Sequence, residues 1–249
     1  MSRGIAAAAD IELVAAVARQ HVGKQLGEVL GELALTAPIY ASVDAALAQA
    51  CDVVVEYTRL ASAKANILAA LEHGAHVVVG TSGLSDDDYA QIDAVACQHQ
   101  RGVLACGNFA LTAVLLIKFA EMTAKLIPKW ELIDYASATK PDAPSGTVRE
   151  LAGRLGKVRQ PRLAVSLEQA AAIRETRGGT LAGSQVHAVR LAGFVFGAES
   201  IFGMPDQTLT IRHNAGGSAK PHVDGALLAI RKVPGLIGLH RGLDAVIEW

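Results

Sequence analysis

Aromatic side chains are scarce in this chain, at 4% of 249 residues. An excess of one charge is also lacking: 23 Lys and Arg stand against 24 Asp and Glu, for a formal net charge of −1. Near-neutrality argues against a general electrostatic hold on nucleic acid. No apolar run approaches the roughly 20 residues that cross a bilayer, so no membrane partner is expected. The opening "MSRGIAAAADIELV" has one Arg and a short apolar stretch that stops at Asp10. That is a poor signal peptide, and the expectation is a cytoplasmic protein. Cysteine is limited to Cys51, Cys97 and Cys106. Their wide spacing in apolar contexts fits no metal site and predicts buried, reduced thiols.

What is abundant is Ala, Val and Leu, within a hydrophobic content of 51%. The length suits one large domain or two smaller ones, with a substantial core. Residues 12–18, 52–58, 76–81 and 102–109 are short β-branched apolar runs, read as strands buried on both faces. Helical patterns at 43–50, 60–73 and 85–100 separate them, the last opening with Ser85 as N-cap and three aspartates in its first turn. Strand alternating with helix predicts an α/β fold with a parallel, Rossmann-like sheet. Beyond residue 108 the pattern changes. A long apolar helix is expected over 111–127, a strand over 130–137 and a helix near 147–156. Three successive strand-like runs follow at 184–191, 194–203 and 207–214, suggesting antiparallel meanders in a second, α+β domain. A last helix spans 219–232.

In an open parallel sheet, ligands collect beyond the C-terminal strand ends. Three such ends carry suitable residues: Glu56-Tyr57-Thr58-Arg59, Gly80-Thr81-Ser82-Gly83 and Cys106-Gly107-Asn108-Phe109. Each alone is ordinary turn chemistry, but three at successive strands point to a nucleotide crevice. A dinucleotide fold also needs a first strand and a glycine-rich turn before its first helix. "MSRGIAAAAD" reads as that helix with Gly4 as its only glycine, so the chain is expected to start within or after the phosphate-binding element. In the second half, "SATKPDAPSGTVREL" (137–151) offers Lys140, then Ser145-Gly146-Thr147 at a helix start. Thr147 and Glu150 have capping-box spacing. Helix-start N–H groups, two hydroxyls and a lysine make a carboxylate site; a capped helix beside a solvated lysine is the plainer reading.

At "KPDAPSGT" the chain resembles the 4-hydroxy-tetrahydrodipicolinate reductase (dihydrodipicolinate reductase) family of diaminopimelate and lysine biosynthesis. "DIELVAAV", "VVVEYT", "GTSG", "GNFA", "HAVRLAGFVFGAESIFG" and "DGALLAIRKV" follow in the family's order, so the resemblance covers nearly the whole chain. It implies a nucleotide-binding domain over 1–108 and 220–249, with a substrate-binding and oligomerisation domain over 109–219. It implies a homotetramer, NADPH or NADH as cofactor, and a small cyclic dicarboxylate as substrate. Carried over by position, Tyr57, Thr58, Arg59, Gly80, Thr81, Ser82, Gly107, Asn108 and Phe109 would meet the nicotinamide nucleotide. Lys140, Ser145, Gly146 and Thr147 would hold a substrate carboxylate. Arg19 lies where a 2′-phosphate is met, and Ala18 replaces the usual ribose-binding acid, which favours NADPH.

One departure bears on catalysis. The family pattern has two histidines, a proton donor and a substrate contact, where this chain has Ala136 and Ser137. Ser137 keeps a polar group for substrate; Ala136 has no proton to give. On the strand, Asp134 shares the face of Ala136, and Tyr135 points away. Three classes therefore remain open: a diverged reductase, a non-catalytic binding or assembly protein with the reductase fold, and an enzyme of another class using Lys140 as its catalytic amine.

Overall fold

The structure, a computed structural model, describes residues 1–32 and 34–249. It divides into two compact units, Met1–Ala110 with Ala219–Trp249, and Leu111–Ser218. In chain order the elements are α1 (Ser2–Ala6), β1 (Ala16–Val17), α2 (Leu26–Leu30), β2 (Ile39–Tyr40), α3 (Val43–Ala46), β3 (Val53–Glu56), α4 (Leu60–Glu72), β4 (His76–Val79), α5 (Asp86–Gln98), β5 (Gly102–Ala105), α6 (Leu111–Leu126), β6 (Trp130–Ala136), α7 (Gly146–Val158), β7 (Gly179–Leu181), β8 (Ser184–Arg190), β9 (Phe196–Met204), β10 (Gln207–Ala215), α8 (Lys220–Lys232) and β11 (Gly238–Arg241).

In the first unit, β3, β4, β5 and β11 form a parallel sheet in the order β11-β5-β4-β3. Alternation along β4 and β5 sends Val77, Val79, Val103 and Ala105 to one face, where they pack on Ala63, Ile67 and Leu71 of α4 and on Ile92 and Ala96 of α5. Val78 and Leu104 on the opposite face are also fully buried, which is why these runs contain hardly a polar residue. The expected cap of α5 is present as a full capping box. Ser85 Oγ accepts from Asp88 N, and the Asp88 carboxylate accepts from Ser85 N. Lys64 of α4, then the Ser85 hydroxyl, hold the Asp88 carboxyl down to about 2.

The strand expected over 12–18 is laddered only at Ala16–Val17, where it pairs with β2. Its partner run begins after Pro38, which has no N–H with which to extend the ladder. The helix expected over 43–50 likewise ends at Ala46. Of the cysteines, Cys106 is buried and Cys51 half-buried, but Cys97 is exposed on the last turn of α5.

The second unit is one five-stranded mixed sheet, order β10-β9-β6-β8-β7. The expected meander of three strands is only part of it. β9 and β10 form a hairpin, but β8 and β9 are not neighbours. They flank β6, parallel and antiparallel to it. The short link between them rounds the end of β6, where Leu191 N donates to Ala136 O at 3.2 Å. Leu132, Val186, Ala198 and Phe202 face α6 and α7 in a shared core. The apolar-looking "FVFGAESIFG" is split by its period of two. Ala198 and Phe202 go to that core, while Glu199 lies across from Ile133 on the other side.

Phe202 is fully buried, with its ring 5.8 Å from that of Trp130. Phe202→Ala is expected to cost about 3–5 kcal/mol of unfolding free energy, read from urea denaturation. A loss below ~1 kcal/mol would place this ring outside the stabilising core.

Candidate functional site

Unit two contains the loop 137–145, between the end of β6 and the start of α7. Strict alternation along β6 buries Trp130, Leu132, Asp134 and Ala136 and leaves Glu131, Ile133, Tyr135 less covered. Asp134 is thus a fully buried carboxylate. Its Oδ2 accepts from Arg190 Nη2 of β8 at 2.7 Å and from Ser145 N at 2.8 Å. The same guanidinium nitrogen donates to Asp142 O at 2.7 Å. One ion pair therefore fixes both sides of the loop. The sequence pointed to Asp134 as an acid on the face of Ala136; the structure makes it the loop's anchor. Asp142 and Arg190 drew no attention in the sequence, although a lone Arg ending the strand run "SQVHAVR" was the available signal.

The helix cap also differs from expectation. Ser145, not Thr147, is the N-cap of α7, its Oγ accepting from Val148 N at 3.4 Å. The hydroxyl proton of Ser145 has no acceptor among the described residues. Gly146 is exposed at the first helical position and Thr147 is half-buried beside it. Lys140 is half-buried and its Nζ lies 2.7 Å from Asp142 Oδ1. That ammonium, more than any other neighbour, holds the Asp142 carboxyl below the usual carboxylate range. The start of this 13-residue helix carries positive potential, and Lys140 lies on the loop that leads into it. Ser137 Oγ is within 3.1 Å of Thr139 Oγ1. Ala136 is fully buried. On the opposite face Tyr135 donates its hydroxyl to Glu199, and burial foremost, with that carboxylate second, pushes its phenol up.

Unit one brings the three strand ends together as expected. Tyr57 follows β3, Gly80 follows β4 and Phe109 lies just beyond β5. The Tyr57 and Phe109 rings are 6.1 Å apart. Gly80 sits under both: a Cβ there would collide with the Tyr57 ring and come within 3.0 Å of Phe109. Only glycine permits this cradle. Phe109 was expected to line an open crevice but is buried at 1% exposure, as the floor beneath Tyr57, which is itself half exposed. Thr81 Oγ1 is buried without a partner among the described groups. Thr58 N and Oγ1 both donate to Glu56 Oε1. Arg59 is the N-cap residue of α4, Ser82 and Gly107 are exposed, and Asn108 Oδ1 accepts from Ala110 N. Arg19 is exposed just past β1 and makes no contact with this cluster among the described residues. An aromatic cradle with an unspent hydroxyl fits the flat, amide-bearing end of a nicotinamide nucleotide. Among the described residues no group of His, Cys, Asp and Glu is placed to hold a metal ion, and no helix is long and apolar enough to cross a membrane.

Comparison with known proteins gives concordant matches. The family model described as dihydrodipicolinate reductase, N-terminus, matches residues 1–109, and that described as dihydrodipicolinate reductase, C-terminus, matches residues 112–243. The chain is 36% identical over 238 residues to a 4-hydroxy-tetrahydrodipicolinate reductase of Bacillus pumilus, covering 95% of this chain and 88% of that protein. It is 36% identical over 251 residues to the enzyme of the same name from Moorella thermoacetica, covering 100% and 93%. Among solved structures it is similar to the dipicolinate-bound dihydrodipicolinate reductase from Paenisporosarcina sp. TG-14. The TM-score is 0.87, with 25% identity over 99% of this chain and 93% of that one.

Removing Arg190 would leave the Asp134 carboxylate buried without its counter-charge. Arg190→Ala is expected to lower unfolding free energy by about 3 kcal/mol, measured by chemical denaturation. A change below ~1 kcal/mol would mean that the carboxylate finds solvent or another donor, and that the pair does not hold the loop.

Proposed function

The chain belongs to the dihydrodipicolinate reductase family, and from that premise we propose that it reduces a small cyclic imine or unsaturated dicarboxylate of the 4-hydroxy-tetrahydrodipicolinate type, using NADPH or NADH. The observation that carries this reading is Lys140 on the loop that leads into α7, paired with Asp142, the loop itself fixed by a buried ion pair. Lys140, the Ser145 hydroxyl and the N–H groups of Gly146 and Thr147 hold one substrate carboxylate; the Ser137 hydroxyl serves a second polar group. Asp142 keeps the lysine in place until substrate competes for it.

When bound, the reduced nicotinamide supplies a hydride. Residues 57–59, 80–82 and 107–109 would hold it, with the Tyr57 and Phe109 rings over Gly80 and the unpartnered Thr81 hydroxyl available to its nicotinamide end. Arg19 offers a guanidinium to a 2′-phosphate, and Ala18 offers no carboxylate to ribose hydroxyls, so NADPH is the favoured donor. Each hydride delivered to an imine carbon requires one proton at the nitrogen. Ala136 has none, and the Ser137 and Thr139 hydroxyls lie within hydrogen-bond distance of each other. The Lys140 ammonium is the acid that the loop itself carries, and serves as both anchor and proton source.

A second reading rests on Ala136. A buried methyl where the family pattern has a proton donor suits a protein that binds the dicarboxylate without reducing it. Nicotinamide oxidation separates the two readings; ligand affinity does not.

By family resemblance we also assign a homotetramer, assembled through the second unit. Sedimentation at micromolar concentration is expected to give a species larger than a dimer, and a stable monomer would reject the assignment.

The site itself is tested with pyridine-2,6-dicarboxylate. A charge-assisted hydrogen bond contributes about 1.5–3 kcal/mol, so Lys140→Ala is expected to weaken calorimetric affinity about tenfold to a hundredfold. Fold stability should change little, since Lys140 is a loop residue in a surface ion pair. Equal affinity in both proteins would remove the site.

A further inference from the structure

The start of α7 carries a cation against the usual preference. Helix starts favour acids, and α7 has none in its first turn. Arg149 instead reaches back toward that start, as helical side chains lean. Its Nη1 donates to Pro144 O at 2.6 Å, and a Cβ placed on Gly146 would lie 3.8 Å from its Nη2. The carboxylate that meets it belongs to Asp142. Asp142 Oδ1 is 2.7 Å from Lys140 Nζ, and Asp142 Oδ2 is 4.0 Å from Arg149 Nη1. One carboxylate thus links the loop lysine to the helix start.

We propose that the Asp142 carboxylate occupies the place of a ligand carboxylate, and that Arg149 is the second cation of that place: a bound dicarboxylate swings the Asp142 side chain out and sets one of its own carboxylates between Lys140 and Arg149. The inference rests on the reading of this loop as a carboxylate site and adds to it a specificity-determining residue, Arg149, and an internal competitor, Asp142.

The hold on Asp142 is lopsided because its main chain is fixed. Asp142 O accepts from Arg190 Nη2 at 2.7 Å, so the short side chain reaches Lys140 and falls short of Arg149. A carboxylate free of the chain can close on both. The side chains of Asp142 and Arg149 are 43% and 53% exposed. Water can therefore solvate the released carboxylate, and an exposed pair of this kind is weak enough to give way. The neighbouring charges have other partners. Arg190 is paired with the buried Asp134, and Glu150 with Arg154 one turn on. Displacing Asp142 thus puts two cations at the disposal of one ligand carboxylate. A guanidinium also fixes the plane of the carboxylate it takes, which an ammonium alone does not.

The test is calorimetric titration of the full chain with pyridine-2,6-dicarboxylate. Asp142→Asn keeps an acceptor for Lys140 but removes the competing charge, and is expected to bind about threefold tighter or more. Arg149→Gln is expected to bind about fivefold weaker, with Arg149→Lys recovering part of the loss. Adding Lys140→Ala to Asp142→Asn should abolish most of the gain, since the competition is for that ammonium. Weaker or unchanged binding by Asp142→Asn would make Asp142 only a prop for the lysine and overturn the proposal. Unchanged affinity in Arg149→Gln would overturn it too, as would an equal gain from Asp142→Asn with and without Lys140, the mark of general charge attraction. Any of these beside a Lys140→Ala that still weakens binding sinks this inference alone; an unchanged Lys140→Ala removes the carboxylate site itself.

Discussion

The buried carboxylate of Asp134 is the constraint around which the second unit is arranged. A charge without solvent must find a counter-charge and donors, and each group it recruits places part of the loop. Arg190 ties β6 to β8 and reaches the Asp142 carbonyl; the Ser145 amide brings the start of α7 against the end of β6. Within the loop so fixed, Lys140 is paired with Asp142. Dispersing a loop of this kind by thermal motion would cost a ligand the entropy of ordering it again.

Much of this was legible in the sequence, for identifiable reasons. β-branched runs such as "HVVVG" and "DVVVEY" have one common solution, a strand covered on both faces, and β3 and β4 follow. The alternation of β6 was readable from "WELIDYA" alone, and with it the shared face of Asp134 and Ala136. Ser85 with its aspartates is a local signal, and local signals survive into the fold. What was not legible depends on distant partners. β11 is "GLHR", four residues with no apolar pattern, and exists because β5 offers an edge. The insertion of β6 between β8 and β9 is a pairing choice that periodicity does not record. Arg190 in its strand looked like an ordinary edge charge until the opposing Asp134 was in view. The cap of α7 is Ser145 and not Thr147, although only Thr147 has a glutamate three residues on; the buried Asp134 carboxylate holds Ser145 N at the helix start.

The first unit shows the same logic with the opposite outcome. Gly80, Tyr57 and Phe109 converge because three strand ends of a parallel sheet must point the same way, and glycine alone lets the rings close over the backbone. Thr81 Oγ1 is left buried there without a partner among the described groups.

The most direct measurement on the dicarboxylate loop is a backbone amide NMR titration of the isotope-labelled chain with pyridine-2,6-dicarboxylate. If Lys140 and the start of α7 hold a carboxylate, shifts should concentrate at residues 137–147, with Gly146 and Thr147 among the largest. Shifts spread over the surface, or centred elsewhere with residues 137–147 unmoved, would contradict a substrate site on this loop.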